Sequence, residues 1–195
     1  MPNFVIHEKV GYDIGKILNK YSYNYYLGLL APDSNKIRVY LSDKERWYSH
    51  VRVKDYDSWK ILLKNFYYDN IEYFDKDFLL GYIIHILTDI IYDVYYYNDV
   101  INRMKNDCIC TDNYHQLMFM DMDNYYFDEL YGIMDILRNG STTYKIQNIK
   151  NSEMRRWKNL EISRVGRYNT CYYINDEIIK GLEEKVMNEL LKDYL

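Results

Sequence analysis

The sequence predicts an all-α fold, on three observations. Glycine and proline are scarce, at 8 and 2 among 195 residues, so little interrupts a helix. Apolar residues recur at intervals of three and four along most of the chain, the period of one helix face. Helix-end residues stand where these runs start and stop. In order, the first two helices are expected at 7–19 (HEKVGYDIGKILN) and 22–30 (SYNYYLGLL). LAPDSNKIRVYLSD, residues 30–43, reads as a loop with a short extended piece. Asp55 and Asp57 ahead of SWKILLKNF open a helix at 55–69. FLLGYIIHILTDIIYDVYYY sits in a long helix at 75–105, and a second long one spans 115–138, where Asn139-Gly140 ends MDILR. Residues 152–162 form a shorter helix. Asn175-Asp176 opens the last, 175–194, with Ile178, Leu182, Val186, Leu190 and Leu191 at helical spacing for packing. Residues 139–151 and 163–174 are polar connections, the second extended around CYYI. No repeat, low-complexity tract or long linker divides the chain, so 1–195 is expected to be a single helical domain.

Composition narrows the function classes. A net charge of -4 and a pI near 5.6 argue against a stable nucleic-acid complex, which needs a basic face. The start, MPNFVIHEKV, has no apolar core of signal-peptide length, so a cytoplasmic location is expected. Cys108, Cys110 and Cys171 cannot all pair within the chain and are expected to be free thiols. The lone C-x-C lacks the second pair of a zinc ribbon. Residues 78–97 have the length of a membrane span. Two central aspartates at roughly 3 kcal/mol each, plus a histidine, favour a buried helix instead.

That helix carries the chemistry. His85 and Asp89 are four apart and share one helix face, and Asp93 continues the row, rotated by about 40°. Buried carboxylates need a partner or a cation, and imidazole with carboxylate is a common zinc ligand set. A hydrogen-bonded His85–Asp89 core network is the other reading. The remaining histidines, His7, His50 and His115, each have a carboxylate or helix-start context suited to ligation.

MPNFVIH, LGLLAPDS, YSH and FLLGYIIHILTD, in that order within residues 1–125, resemble the bacterial zinc-dependent phospholipase C family. That family is similar in fold and metal site to the single-strand-specific zinc nucleases. The resemblance implies a multi-helix bundle of that type, with Asp33, His50, His85 and Asp89 on one Zn²⁺ and Asp89 bridging to a second held by His7. The Pro2 amine would join His7 if Met1 is removed. For a third ion it implies Asp93 and His115, but Phe119 stands where a carboxylate is needed, leaving Asp121 and Asp123 as the nearest acids; both can instead cap a following helix. Residues 140–195 carry none of the motif and are expected to be accessory packing.

A pair of zinc ions about 3.5 to 4 Å apart activates water and clamps a phosphoester. The expected function is therefore a phosphodiesterase or phospholipase C-like hydrolase with a di- or tri-zinc centre. Asp33 would be the catalytic base, and the substrate a small phosphoester, a phospholipid head group or nucleotide. Arg38, Arg46 and Arg52 are candidates to receive the phosphate, with Trp47 and Tyr48 at the cleft mouth. Two rival readings are a non-catalytic helical protein with a structural or vestigial zinc site, and a metal-free helical interaction module. Oligomeric state is not encoded in any of these features.

Overall fold

The computed structural model describes residues 2–107, 109, 111, 113–141, 143–164 and 172–195. The three cysteines lie outside the described residues, and so does Met1. Among the described residues the chain forms ten α-helices and no strand: α1 Phe4–Leu18, α2 Tyr23–Leu30, α3 Asp43–Ser49, α4 Tyr56–Asn70, α5 Lys76–Tyr95, α6 Tyr97–Asn106, α7 Tyr114–Met122, α8 Leu130–Asn139, α9 Asn151–Arg164 and α10 Asp176–Asp193. A 3-10 stretch, Ala31–Ile37, follows α2 directly.

The helix α5 is the axis of the molecule. It is buried continuously from Phe78 to Tyr92, and α1, α2, α4, α6 and α10 pack around it. By length and composition it can cross a membrane, yet 83% of its apolar stretch is covered by the surrounding helices. Its closest neighbour is α2. A Cβ at Gly81 would collide with the Tyr25 carbonyl oxygen, and one at Gly28 with that of Phe78. The two backbones touch there because neither residue has a side chain. The 3-10 stretch is tied to α9 by Arg38, whose guanidinium donates to both Glu153 oxygens (2.7 and 3.0 Å), to Glu45 (2.8 Å) and to the Asn148 carbonyl.

Several boundaries differ from the sequence expectation. The first helix starts at Phe4, because the Asn3 side chain accepts from the Ile6 N–H and caps it. Residues 30–43 contain the 3-10 stretch in place of an extended piece, with Pro32 in its first turn. The helix α3 was not expected; Ser42 and Glu45 close a reciprocal capping box at its start. The expected 75–105 helix is two, divided at Tyr96, and the expected 115–138 helix breaks over 123–129. Asp121 does not cap the chain that follows it: it accepts the N–H groups of Tyr172, Tyr173 and Ile174 at 2.8–2.9 Å. At CYYI, Cys171 lies outside the described residues, and Tyr172–Ile174 form a bend. On α10, Ile178, Leu182, Val186 and Leu190 are buried while Leu191 is 59% exposed, so the packing face excludes it.

Between α1 and α10, burial and then the neighbouring Asp13 push the Glu183 carboxyl up to about 8, against a smaller opposing pull from Lys9. An unfolded Glu titrates near ~4.3, so folding binds a proton here. The stability this confers is complete below about pH 4 and is lost as pH rises through about 8. Solvent reaches the pair and screens it. Glu183→Gln is therefore expected to match the parent near pH 4 and to exceed it by about 1 kcal/mol at pH 9. The check is a melting-temperature difference of roughly 2–4 °C opening between pH 5 and 8; a constant difference across that range would remove the assignment.

Candidate metal centre

Four elements meet beneath the α2–α5 contact. The first turn of α1 brings His7, the 3-10 stretch brings Asp33, the end of α3 brings His50, and α5 brings His85 and Asp89. All five are at most 3% exposed. Asp89 lies at the middle: its Oδ1 is 3.3 Å from His7 Nε2, and its Oδ2 is 3.6 Å from His50 Nε2 and 3.8 Å from His85 Nε2. Asp33 Oδ1 is 3.3 Å from His50 Nε2. The His7 and His85 rings stack at 3.6 Å, inclined by 10°.

The histidines are aimed by the backbone. His85 Nδ1 donates to the Leu29 carbonyl at 2.6 Å, next to the Gly28 contact that brings α2 so close. His50 Nδ1 donates to the Arg46 carbonyl at 2.9 Å, with Ser49 Oγ 3.0 Å away. Each Nδ1 therefore carries the proton, and each Nε2 turns its lone pair inward, the tautomer a metal ligand requires. The Trp59 indole donates to the His50 carbonyl (2.9 Å), and the Tyr82 hydroxyl to that of Ser49. Val51, just after His50, takes a left-handed conformation (φ 51°) uncommon for a β-branched residue. That turn ends α3, with the Arg52 N–H returning to the Trp47 carbonyl.

Burial, then the proximity of His7, lowers the His85 imidazole to about 3, so it is neutral with its lone pair free. Burial alone would raise the Asp89 carboxyl, but His7, His85 and His50 together hold it well below the usual range. Burial acts the same way on Asp33, and the Lys36 ammonium (2.6 Å) with His50 and His85 more than offsets it. For both carboxylates the direction is toward the ionised form.

Seven buried atoms of this cluster have no hydrogen-bond partner: His7 Nδ1 and Nε2, His50 Nε2, His85 Nε2, Asp33 Oδ1 and both Asp89 oxygens. Leaving such groups unsatisfied costs about 1–3 kcal/mol each. Donors held about 2.0–2.1 Å from a tetrahedral ion stand roughly 3.3 Å apart, close to the separations here. Two groupings of ligand atoms lie within 4.8 Å of one another, His7–His85–Asp89 and Asp33–His50–His85. These buried His/Asp groups can bind a metal ion.

The other sequence candidates stand outside these two groupings. Asp93 pairs with Arg52 (3.2 Å), whose guanidinium lies over the Trp47 and Trp59 rings. His115 is set edge-on to Phe119 at 4.8 Å, and Asp123 accepts from the Asn3 amide. Among the described residues, none of Asp93, His115, Asp121 or Asp123 belongs to either ligand grouping. Pro2 is buried at the start of α1.

Asp33 lies on the wall of a cavity of about 290 Å³ that reaches the surface and is also lined by Lys36, Arg46, His115, Asp123 and Glu161. Glu161 was invisible to motif reasoning because α9 carries no pattern to single it out. Burial, against its Arg164 partner and with Asp33 and Asp123 adding to the rise, pushes its carboxyl up to about 7. Glu8, beside His7, was missed as well; it is fully buried without a partner, and burial drives its carboxyl well above the usual range. Compared with known proteins, the chain matches no family model, and no curated protein or solved structure is significantly similar to it.

Proposed function

We propose that this chain is a zinc-dependent phosphoric ester hydrolase acting on a small phosphodiester, a phospholipid head group or nucleotide. One observation carries the reading: three buried imidazoles, two of them with inward lone pairs, and two buried carboxylates, each with partnerless atoms, meet beside an open cavity with Asp33 on its wall. Mixed nitrogen and carboxylate donors suit Zn²⁺, as they do related divalent ions. His50, His85, Asp33 and Asp89 would hold one ion, and His7 with Asp89 a second, as the phospholipase C resemblance implies. When bound, such ions lower the pKa of water and neutralise charge on a phosphoryl group. Asp33 is the candidate base: with Oδ1 turned to the ion, its Oδ2, paired with Lys36 at 2.6 Å, is the oxygen left to accept the proton of the attacking water. The cavity wall also bears Arg46, a cation suited to an anionic substrate.

A structural zinc site is the second reading, favoured by the near-complete burial of His7 and Asp89. A metal-free His85–Asp89 core pair is disfavoured, because it leaves the other buried atoms unsatisfied. The deciding experiment is metal analysis of untagged protein with a chromogenic phosphodiester assay. Two zinc ions per chain with turnover that falls at least about 100-fold in Asp33→Asn is the expected result. One tightly held ion without turnover establishes the structural role.

A further inference from the structure

Among the described residues, Arg46 and His115 line both the 290 Å³ cavity beside Asp33 and a neighbouring cavity of about 320 Å³ walled by Trp47, Arg52, Tyr56, Asp93 and Tyr97. The nearby cations are otherwise engaged. Arg38 is bound to Glu153, Glu45 and a backbone carbonyl, Lys36 to Asp33, Arg164 to Glu161, and Arg52 to Asp93. Arg46 forms no ion pair among the described residues, and its Nε is buried without a hydrogen-bond partner. Its own carbonyl accepts from His50 Nδ1, so its backbone is fixed relative to the centre while its side chain is left to the cavities. A guanidinium held like this is a planar, permanently charged donor for a tetrahedral oxyanion.

We propose that Arg46 is the phosphoryl-binding residue of this chain, supplying a fixed positive charge at the junction of the two cavities. The inference rests on the hydrolase reading above. It places the phosphoryl group of the substrate beside Asp33, with one ester substituent entering the aromatic compartment of Trp47, Tyr56 and Tyr97. That compartment favours a flat, stackable substituent over an alkyl chain.

The test is binding of inorganic phosphate to the zinc-loaded protein by calorimetry, with zinc counted on the same samples. Arg46→Gln is expected to keep two zinc ions and the parent melting temperature while losing phosphate affinity by about 30-fold. Arg46→Lys, which keeps the charge but loses the planar fork, is expected to fall between them, and it carries the test should the Gln variant not fold. Phosphate affinity unchanged in both variants overturns the role of Arg46 and leaves the hydrolase reading standing. A parent protein that takes up neither zinc nor phosphate overturns both readings.

Discussion

Asp89→Asn is expected to empty the metal centre, with zinc falling from two ions per chain to fewer than one and affinity dropping by at least about 100-fold. Loss of a partner one shell further out already costs 10–100-fold in comparable sites. The central carboxylate presents Oδ1 to His7 and Oδ2 to His50 and His85. An amide has one oxygen, so it can serve one side only, and its NH₂ faces imidazole lone pairs on the other. The stability pattern separates a ligand from a core residue. Without metal, the parent buries an ionised Asp89 among rings that give it no aligned donor, a costly arrangement that an amide relieves. The two metal-free proteins are therefore expected to melt within about 1 kcal/mol of each other. Zinc at 100 times its Kd adds about 2.7 kcal/mol to the parent, a rise of roughly 5–10 °C for a chain this long, and nothing to the variant. If the metal-free variant instead loses more than about 3 kcal/mol, Asp89 belongs to a satisfied core network.

Most of the helical architecture was legible because burial imposes the period it needs: α4, α5 and α10 show it along their length, and Asp55 and Asn175 cap where the sequence places them. The breaks were not. Tyr96 and residues 123–129 contain neither glycine nor proline, and the apolar rhythm runs through both; at the end of α7 tertiary contacts take over, Asn3 reaching Asp123 and the Tyr172–Ile174 amides converging on Asp121. The helix α3 is only seven residues long, too short for a period to show, although its capping box was present in Ser42 and Glu45.

The centre divides the same way. Residue type singled out His7, His50, His85 and Asp89, and the family resemblance added Asp33, but the groups that aim His85 and His50 are backbone carbonyls of Leu29 and Arg46, which no side-chain pattern encodes. Trp59 and Glu161 reach the site from helices whose sequences read as ordinary packing. Their roles follow from where α4 and α9 lie in space.

The two glycines are the exception, since their place in the sequence does carry the geometry. Gly81→Ala is expected to cost about 3 kcal/mol or more, or to prevent folding, although it adds a single methyl group. The added carbon would meet the Tyr25 carbonyl and the Leu29 amide of α2, and Gly28 already abuts Phe78 and Tyr82 from the other side. These are backbone atoms within helices, so relief requires moving α2 bodily, not turning a side chain. His85 lies one helical turn beyond Gly81 and donates to Leu29 at 2.6 Å, so any separation of the helices lengthens the bond that aims its Nε2. Zinc affinity should fall with stability, by about 10–100-fold in whatever fraction folds. Gly132→Ala is the matched control. It lies in α8 with open space around it, where alanine's lower unfolded-state entropy is expected to stabilise by about 0.5–1 kcal/mol. Urea titration with zinc titration on the same samples reads both. Were Gly81→Ala to fold within 1 kcal/mol of the parent and bind zinc equally well, the close α2–α5 approach would not be what positions His85.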